Sequence, residues 1–560
     1  MSKNLFSSIN ARLFPMKMHY FLFHLGTGPI FANMSIIARQ QGFSSGVLGV
    51  LLTVLNLLAM ISRPAFGWLA DRFKLHKSIF LTMQTITGLS FFLIYFVPPF
   101  ASQVKVRTIL NNTEIFFCPR NPVWDNCFDD RIQNYESKIF KCQLSCKPET
   151  WMRKQFCDNN NNDDCISNMK PFQYEIFVDM RTIEKNATCL TMREFKNISH
   201  LNAFGYFDEA PLYAKMYDVN CEINCEDHFL KSSLVNRGTL PDDEITQKYD
   251  FWLFCGLLLL AYSAASVVMS MADTICFDLL GEDSHLYGKQ KMFDSVGAGT
   301  SAVVVGAIID IVSGHSLFKN YSIVYFFCLA SVSLNMIWSM KLNFTQSKQS
   351  QNIMKDVGKL FKSIKIVTFF SWCCFAGIFS AVIWSFVFWH LEELSDEITQ
   401  NECGGNYIKT LEGLSMFTQT CIGEIPVFFW SGYLLKKLGH VNCMHLIFGA
   451  FIARLFYYSL LSNPWWVLPI ELLNGITYGL LLATMASYAN YIAQPGMEAT
   501  VQGLVGAFFQ GVGVSVGNFL AGTLFEFFGG SIAFMIFGVL GLSAFIVHVL
   551  VHVILKTKFF

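Results

Sequence analysis

The chain has 560 residues, 53% of them hydrophobic, and a mean hydropathy of +0.39 that includes one long polar segment, an apolar excess that no ordinary soluble core needs. Lys+Arg and Asp+Glu both number 41, so there is no basic surplus to hold a nucleic acid. No nucleophile, metal cluster or Gly-rich phosphate loop stands in a setting for enzyme chemistry, and no cofactor or metal is implied.

Residues 1–16 are too polar for a cleaved signal peptide, and the apolar run that follows has no A-x-A-like site, so the first helix is predicted to act as its own insertion signal. Apolar windows of about 20 residues, enough to cross about 30 Å of hydrocarbon, fall near 17–37, 46–68, 78–98, 251–273, 293–313, 321–341, 366–388, 411–434, 443–461, 465–490, 501–522 and 529–553. They predict an all-α membrane protein of twelve transmembrane helices in the lipid bilayer, in two six-helix halves. Residues 1–98 carry helices 1–3, 99–250 form an insertion, 251–341 carry helices 4–6, 342–365 link the halves, and 366–560 carry helices 7–12.

Charge placement orients this body. Arg72, Lys74 and Lys77, then Lys289 and Lys291, then Lys436 and Lys437 fall in short connections on one side, with Lys556 and Lys558 in the tail and six lysines from Lys341 to Lys365. The segment from His390 to Thr410 on the other side carries Glu392, Glu393, Asp396, Glu397 and Glu402 against Lys409. The positive-inside rule then puts both termini in the cytosol. The insertion falls outside, where its three N-x-[ST] sequons, at Asn111, Asn186 and Asn197, and nine of the seventeen cysteines suit a glycosylated, oxidising compartment. The plasma membrane is the default location, with endosomal membranes as the alternative.

Cys118 and Cys127 precede Cys142-x-x-x-Cys146, and Cys157 and Cys165 precede Cys221-x-x-x-Cys225, which reads as a duplicated disulfide element. Nine is odd, and Cys403 is the cysteine of the other sizeable outer loop, so a bridge from Cys189 or a neighbour to Cys403 is an expectation. The absence of paired His argues against zinc, and Asp163 stands where the acidic run 158–164 would need Gly to form an EF-hand loop.

Two loops carry motif-like spacing. Gly67-Trp-Leu-Ala-Asp71-Arg72 ends helix 2, where Gly67 allows close helix approach and Asp71 can hold a basic residue of a neighbouring helix in one state of a rocking cycle. Gly432-Tyr-Leu-Leu-Lys436-Lys437-Leu-Gly439 occupies the corresponding place in the second half, without the acid. Helix 1, with Gly26, Gly28 and Pro29, and helix 11, with Gly503, Gly506, Gly511, Gly513, Gly517 and Gly522, have the small residues that let helices pack closely and bend.

Charge inside predicted helices marks function, because each such residue costs about 2.5–3.5 kcal/mol at mid-membrane on insertion scales. Glu424 lies midway along helix 8 before Pro426, Arg454 in helix 9 and Glu471 in helix 10. Arg454 and Glu471 stand about equally far from the turn Ser462-Asn-Pro-Trp-Trp466, at a similar depth of ~10 Å by helical rise, so an ion pair is expected, either structural or functional. Glu424 has no partner on its own helix. A lone carboxyl group in low dielectric takes up a proton and releases it when a cation or water approaches, so Glu424 is the candidate for a coupling proton; the alternative is a polar helix contact. Arg63, before Pro64 in helix 2, is a candidate gate or substrate contact; His24 is a packing histidine or a site residue; Asp273 and Asp310 lie near helix ends and are expected to be solvated.

The outer insertion after helix 3, GEIPVFF around Glu424, SNPWWVLPIELLNGITYG from Ser462 to Gly479 and PGMEATVQG from Pro495 to Gly503 together resemble the major facilitator superfamily domain-containing protein 6 family. That family is similar in turn to the lactose permease type of proton symporter. The resemblance implies substrate and proton-coupling roles for the acid on helix 8, the arginine on helix 9 and the acid on helix 10, which map to Glu424, Arg454 and Glu471. The expected function is a secondary transporter of a small solute by alternating access, with protons as the coupling ion. The rival is a cell-surface receptor whose insertion binds a protein ligand.

Overall fold

The computed structural model describes residues 13–342 and 363–554, apart from 74, 99, 101–103, 110–113, 119–138, 147–171, 180–182, 186–188, 194–215, 227–240, 282–286, 315–318, 402–406 and 494–497. Cys127, Cys157, Cys165, Cys403, Asn111, Asn186, Asn197 and linker residues 343–362 lie outside the described residues, and the side chains of Asp71 and Cys146 are likewise not described.

The apolar runs fold as helices: α1 (Phe14–Gln41), α2 (Ser45–Phe73), α3 (His76–Ile94), α4 (Tyr249–Leu280), α5 (Tyr287–Ser313), α6 (Ser322–Ser339) and α7 (Ile364–Asn401). α8 spans residues 408–438, α9 is His440–Ser459, α10 spans 464–492, α11 spans 498–528 and α12 spans 530–554. Among the described residues nine helices are long and apolar enough to cross a membrane, or ten when the bent pair Pro464–Glu471 and Gly475–Ile492 is taken as one span. Two local features extend this picture. α8 is continuous but contains a π-helical stretch, Thr418–Glu424, and the run through α11 and α12 breaks at Gly529, whose φ of 74° lies in the left-handed region that a side chain disfavours. Phe525 of α11 packs on Phe386, and Phe534 beyond the break packs on His390. A Cβ at Gly517 would meet Ile378, while one at Gly541 would meet Phe379. The chain therefore runs along α7 and returns beside it.

Between α3 and α4 the chain forms a seven-stranded antiparallel sheet, order β4-β3-β7-β1-β2-β6-β5. Its strands are β1 (Val104–Ile109), β2 (Glu114–Cys118), β3 (Ile139–Cys146), β4 (Phe172–Asp179), β5 (Ile183–Lys185), β6 (Leu190–Arg193) and β7 (Met216–Cys225). The two C-x-x-x-C segments lie on β3 and β7, paired Cys142↔Cys225 and Cys146↔Cys221. Disulfides join Cys142 to Cys225 and Cys118 to Cys189, and Cys221 is also disulfide-bonded. One bridge, Cys142–Cys225, thus joins the two cysteine sets. Cys189 is committed to Cys118 instead of the Cys403 loop, because β2 and β6 are neighbours in register through Phe117↔Leu190.

α3 leaves for the sheet and α4 returns from it at one end of the bundle, called here the sheet end. There α2 and α11 meet backbone to backbone: a Cβ on Gly49 would lie 2.7 Å from the Gly522 Cα, and one on Gly522 would lie 2.6 Å from the Gly49 Cα. Only glycine permits that approach.

Candidate functional site

The turn before α10 is set by Asn463, whose side-chain oxygen accepts from the Trp465 N–H at 3.0 Å. Beyond it, Glu471 faces Arg454 of α9. Arg454 Nη2 donates to Glu471 Oε2 at 2.5 Å, and the Tyr458 hydroxyl donates to Glu471 Oε1 at 2.8 Å. Arg454 Nη1 donates to Asn474 Oδ1 at 2.7 Å and to Thr477 Oγ1 at 2.6 Å. Arg454 and Glu471 are 1% and 0% exposed, so the charges have left water completely and depend on this full set of partners.

Asn474 carries the network onward, donating through Nδ2 to Glu424 Oε1 at 2.7 Å. The other carboxylate oxygen, Oε2, accepts from Ser295 of α5 at 2.8 Å. Glu424 is 4% exposed. Its π-helical stretch ends two residues before Pro426, which lacks an N–H and cannot complete the α-helical ladder; one extra residue per turn re-aims the carboxylate. Glu424 thus holds a neutral donor from each half of the chain and, among the described residues, no cation within ion-pair distance.

Ser295 adjoins a second charged group. Lys291 Nζ lies 2.9 Å from both Asp273 Oδ1 and Asp294 Oδ2, the Tyr20 hydroxyl donates to Asp273 at 2.9 Å, and His24 Nδ1 stands 3.0 Å from Asp294 Oδ1. α1, α4 and α5 converge here. On the other side of the same seam, Arg63 of α2 donates to the Gln510 side chain of α11.

At the sheet end the seam is closed by polar contacts. Arg39 of α1 reaches Glu392 and Asp396 of α7 at 3.3 and 3.4 Å, and Lys409 of α8, with no exposed side-chain surface, lies 2.6 Å from Glu392 and 2.9 Å from Glu412. Asp310 accepts from the Thr410 N–H and hydroxyl at 2.7 Å each, and Glu526 accepts from Ser45 at 2.8 Å. Toward the opposite end, a Cβ at Gly67 or Gly432 would meet nothing within 4 Å, and Arg72 lies exposed with its guanidinium 5.6 Å from the Trp68 ring centroid.

The structure brings Glu424, Arg454 and Glu471 into one network and leaves Arg63 outside it. Glu424 does have partners, though none on α8. Asp310 is not solvated: it is 5% exposed and caps the start of α8. Lys291, read above as a loop cation, belongs to α5 because that helix starts six residues before the apolar window does. Sequence reasoning also missed Ser295, Asp294, Asn474 and Tyr458. The signals were present: Asp294 and Ser295 are polar within an apolar helix, and Asn474 sits one helical turn after Glu471.

These features define a multi-pass membrane protein of the transporter type. The family model described as the MFS_1 like family matches residues 13–536, and the chain belongs to that family. It is similar to major facilitator superfamily domain-containing protein 6-like protein B of Xenopus laevis, 18% identical over 557 residues, covering 93% of this chain and 87% of that protein. An uncharacterized transporter, YwbF, of Bacillus subtilis (strain 168) is 22% identical over 293 residues, 52% of this chain and 68% of its own length. Among solved structures, the nucleoside transporter NupG superposes with a TM-score of 0.57 at 12% identity, covering 97% of this chain and 98% of that one. A proton-dependent oligopeptide transporter superposes with a TM-score of 0.52 at 10% identity, covering 97% and 99%. The shared property is the fold.

Proposed function

We propose that this chain is a secondary transporter that moves a small solute by alternating access and couples the movement to protons at Glu424. On this reading the helices count as twelve spans: α11 and α12 are two spans joined at Gly529, α8 is one, and α1–α6 and α7–α12 form the halves. The sheet faces outward, the termini lie in the cytosol, and the conformation is closed at the sheet end. The loops carrying Gly67, Asp71 and Arg72 and carrying Gly432 close the opposite end in the alternate state.

The observation that carries this reading is the Glu424 carboxylate held between Asn474 and Ser295. As a carboxylate it accepts from both, tying one half to the other. Once protonated it donates through its own O–H, which the Ser295 hydroxyl turns to accept, and two charge-assisted hydrogen bonds become weaker neutral ones, so the tie across the seam weakens. Arrival and loss of one proton thereby bias the seam, which is what coupling requires. Arg454 and Glu471 hold Asn474 in place for this exchange.

The test is uptake of a pooled small-metabolite library into proteoliposomes under an inward proton gradient, native protein against Glu424→Gln. The expected result is accumulation that vanishes in the variant and on collapsing the gradient, with folding retained. Flux indifferent to both would leave a uniporter. No flux from folded protein would favour a second reading, which rests on the disulfide-joined sheet: a surface receptor whose insertion binds a protein ligand.

A further inference from the structure

Arg63 is half-buried at the seam without a counter-charge. It donates to Gln510, its Nε is buried and meets no hydrogen-bond acceptor, and among the described residues no carboxylate lies within ion-pair distance of it. Asp273 of α4 is already held by Lys291 and Tyr20. Lys291 in turn has two acids. Arg63 is therefore the seam cation that these contacts leave for something else. Its buried Nε is costly to leave without an acceptor, and the planar guanidinium fork matches the two oxygens of a carboxylate or the oxygens of a phosphate.

The surroundings of Arg63 describe the rest of the ligand. Tyr478, on the π-helical stretch Gly475–Leu480 of α10, is joined to the Arg63 site through Trp384 of α7 and Phe509, the chain neighbour of Arg63's partner Gln510. Trp384 of α7 stands edge-on to Tyr478 at 5.6 Å and to Phe509 at 6.2 Å, and is 39% exposed although it lies mid-helix. Trp384 thus ties α7 to α10 and α11 beside Gln510, the partner of Arg63. A cation, an amide, a phenol and an indole face together form a receptor for a small anion with an apolar or ring-bearing body.

We propose that the substrate is a small organic anion, a carboxylate or a phosphate monoester, whose charged group pairs with Arg63 while its body lies against Trp384 and Tyr478. This rests on the carrier reading above and names its substrate class.

The test uses the purified full chain in nanodiscs and follows thermal unfolding with benzoate, phenyl phosphate, benzyl alcohol and benzylamine as probes. Native protein should be stabilised by one or both anions and by neither control, and the stronger anion identifies the headgroup. Arg63→Gln should unfold at the native temperature without probe and lose the stabilisation, its affinity falling at least about 30-fold as expected for removing one partner of a buried charge pair. Arg63→Lys should recover part of it, which a purely structural role would not produce. Equal stabilisation by the alcohol or the amine, an unchanged response in Arg63→Gln, or no response to any probe at 10-fold increasing doses up to solubility would overturn the proposal. The uptake assay separates the two failures: accumulation of neutral or cationic solutes leaves the carrier reading standing and removes this one.

Discussion

Arg454 and Glu471 sit in the C-terminal half with at most 1% of either side chain exposed, whereas Lys291, Asp273 and Asp294 in the N-terminal half are 23%, 34% and 11% exposed. Both groups are ion-paired, and they differ in what surrounds the pair. The C-terminal pair has tyrosine, asparagine and threonine closing every remaining valence, so it behaves as a fixed frame. The N-terminal triad keeps part of its surface open. Glu424 lies between them, held by Asn474 and by Ser295, the chain neighbour of Asp294.

That contrast can be broken most sharply at Arg454. Arg454→Met strands Glu471 without its cation and should destabilise the protein by about 3–5 kcal/mol, read as lost folded yield in detergent. Adding Glu471→Leu to the same chain should recover most of that yield, since a buried pair replaced by apolar residues is often neutral. If the single variant folded normally, the fixed-frame view would fail. Asn474→Ala should be milder, about 1–3 kcal/mol for the hydrogen bonds it strands, and should depress uptake by more than its effect on unfolding temperature accounts for. Lys291→Met should shift unfolding least, about 1 kcal/mol or less given its exposure, while uptake collapses. A large stability loss with proportionate uptake loss would mean the triad is structural after all.

Much of this was legible in the chain itself. The apolar runs placed the helices, and the equal spacing of Arg454 and Glu471 about the Ser462–Trp466 turn put them at one depth because helical rise is fixed per residue. Hydropathy windows carry no azimuth, however, so they could not say that Ser295 faces Glu424 from 129 positions away. They also clip polar helix ends, which is why Lys291 read as loop and why Glu392 and Lys409 read as outer charges rather than as a buried bridge. The cysteine pairing depended on strand register, which spacing alone does not encode. The π-helical stretches of α8, α10 and α11 hold Glu424, Tyr478 and Gln510; their glycines and Pro426 permit the distortion without announcing it.

The reversal at Gly529 bears on how the protein is made. As it emerges from the ribosome, the 54-residue stretch Val501–Ile554 presents almost unbroken apolar chain, with no charged loop to mark where one membrane pass ends and the next begins. The insertion machinery has two cues, the Glu526 carboxylate and a backbone angle that Gly529 adopts without strain. A side chain at position 529 would strain that angle and with it the return of the last segment along α7, at a residue outside the buried polar network.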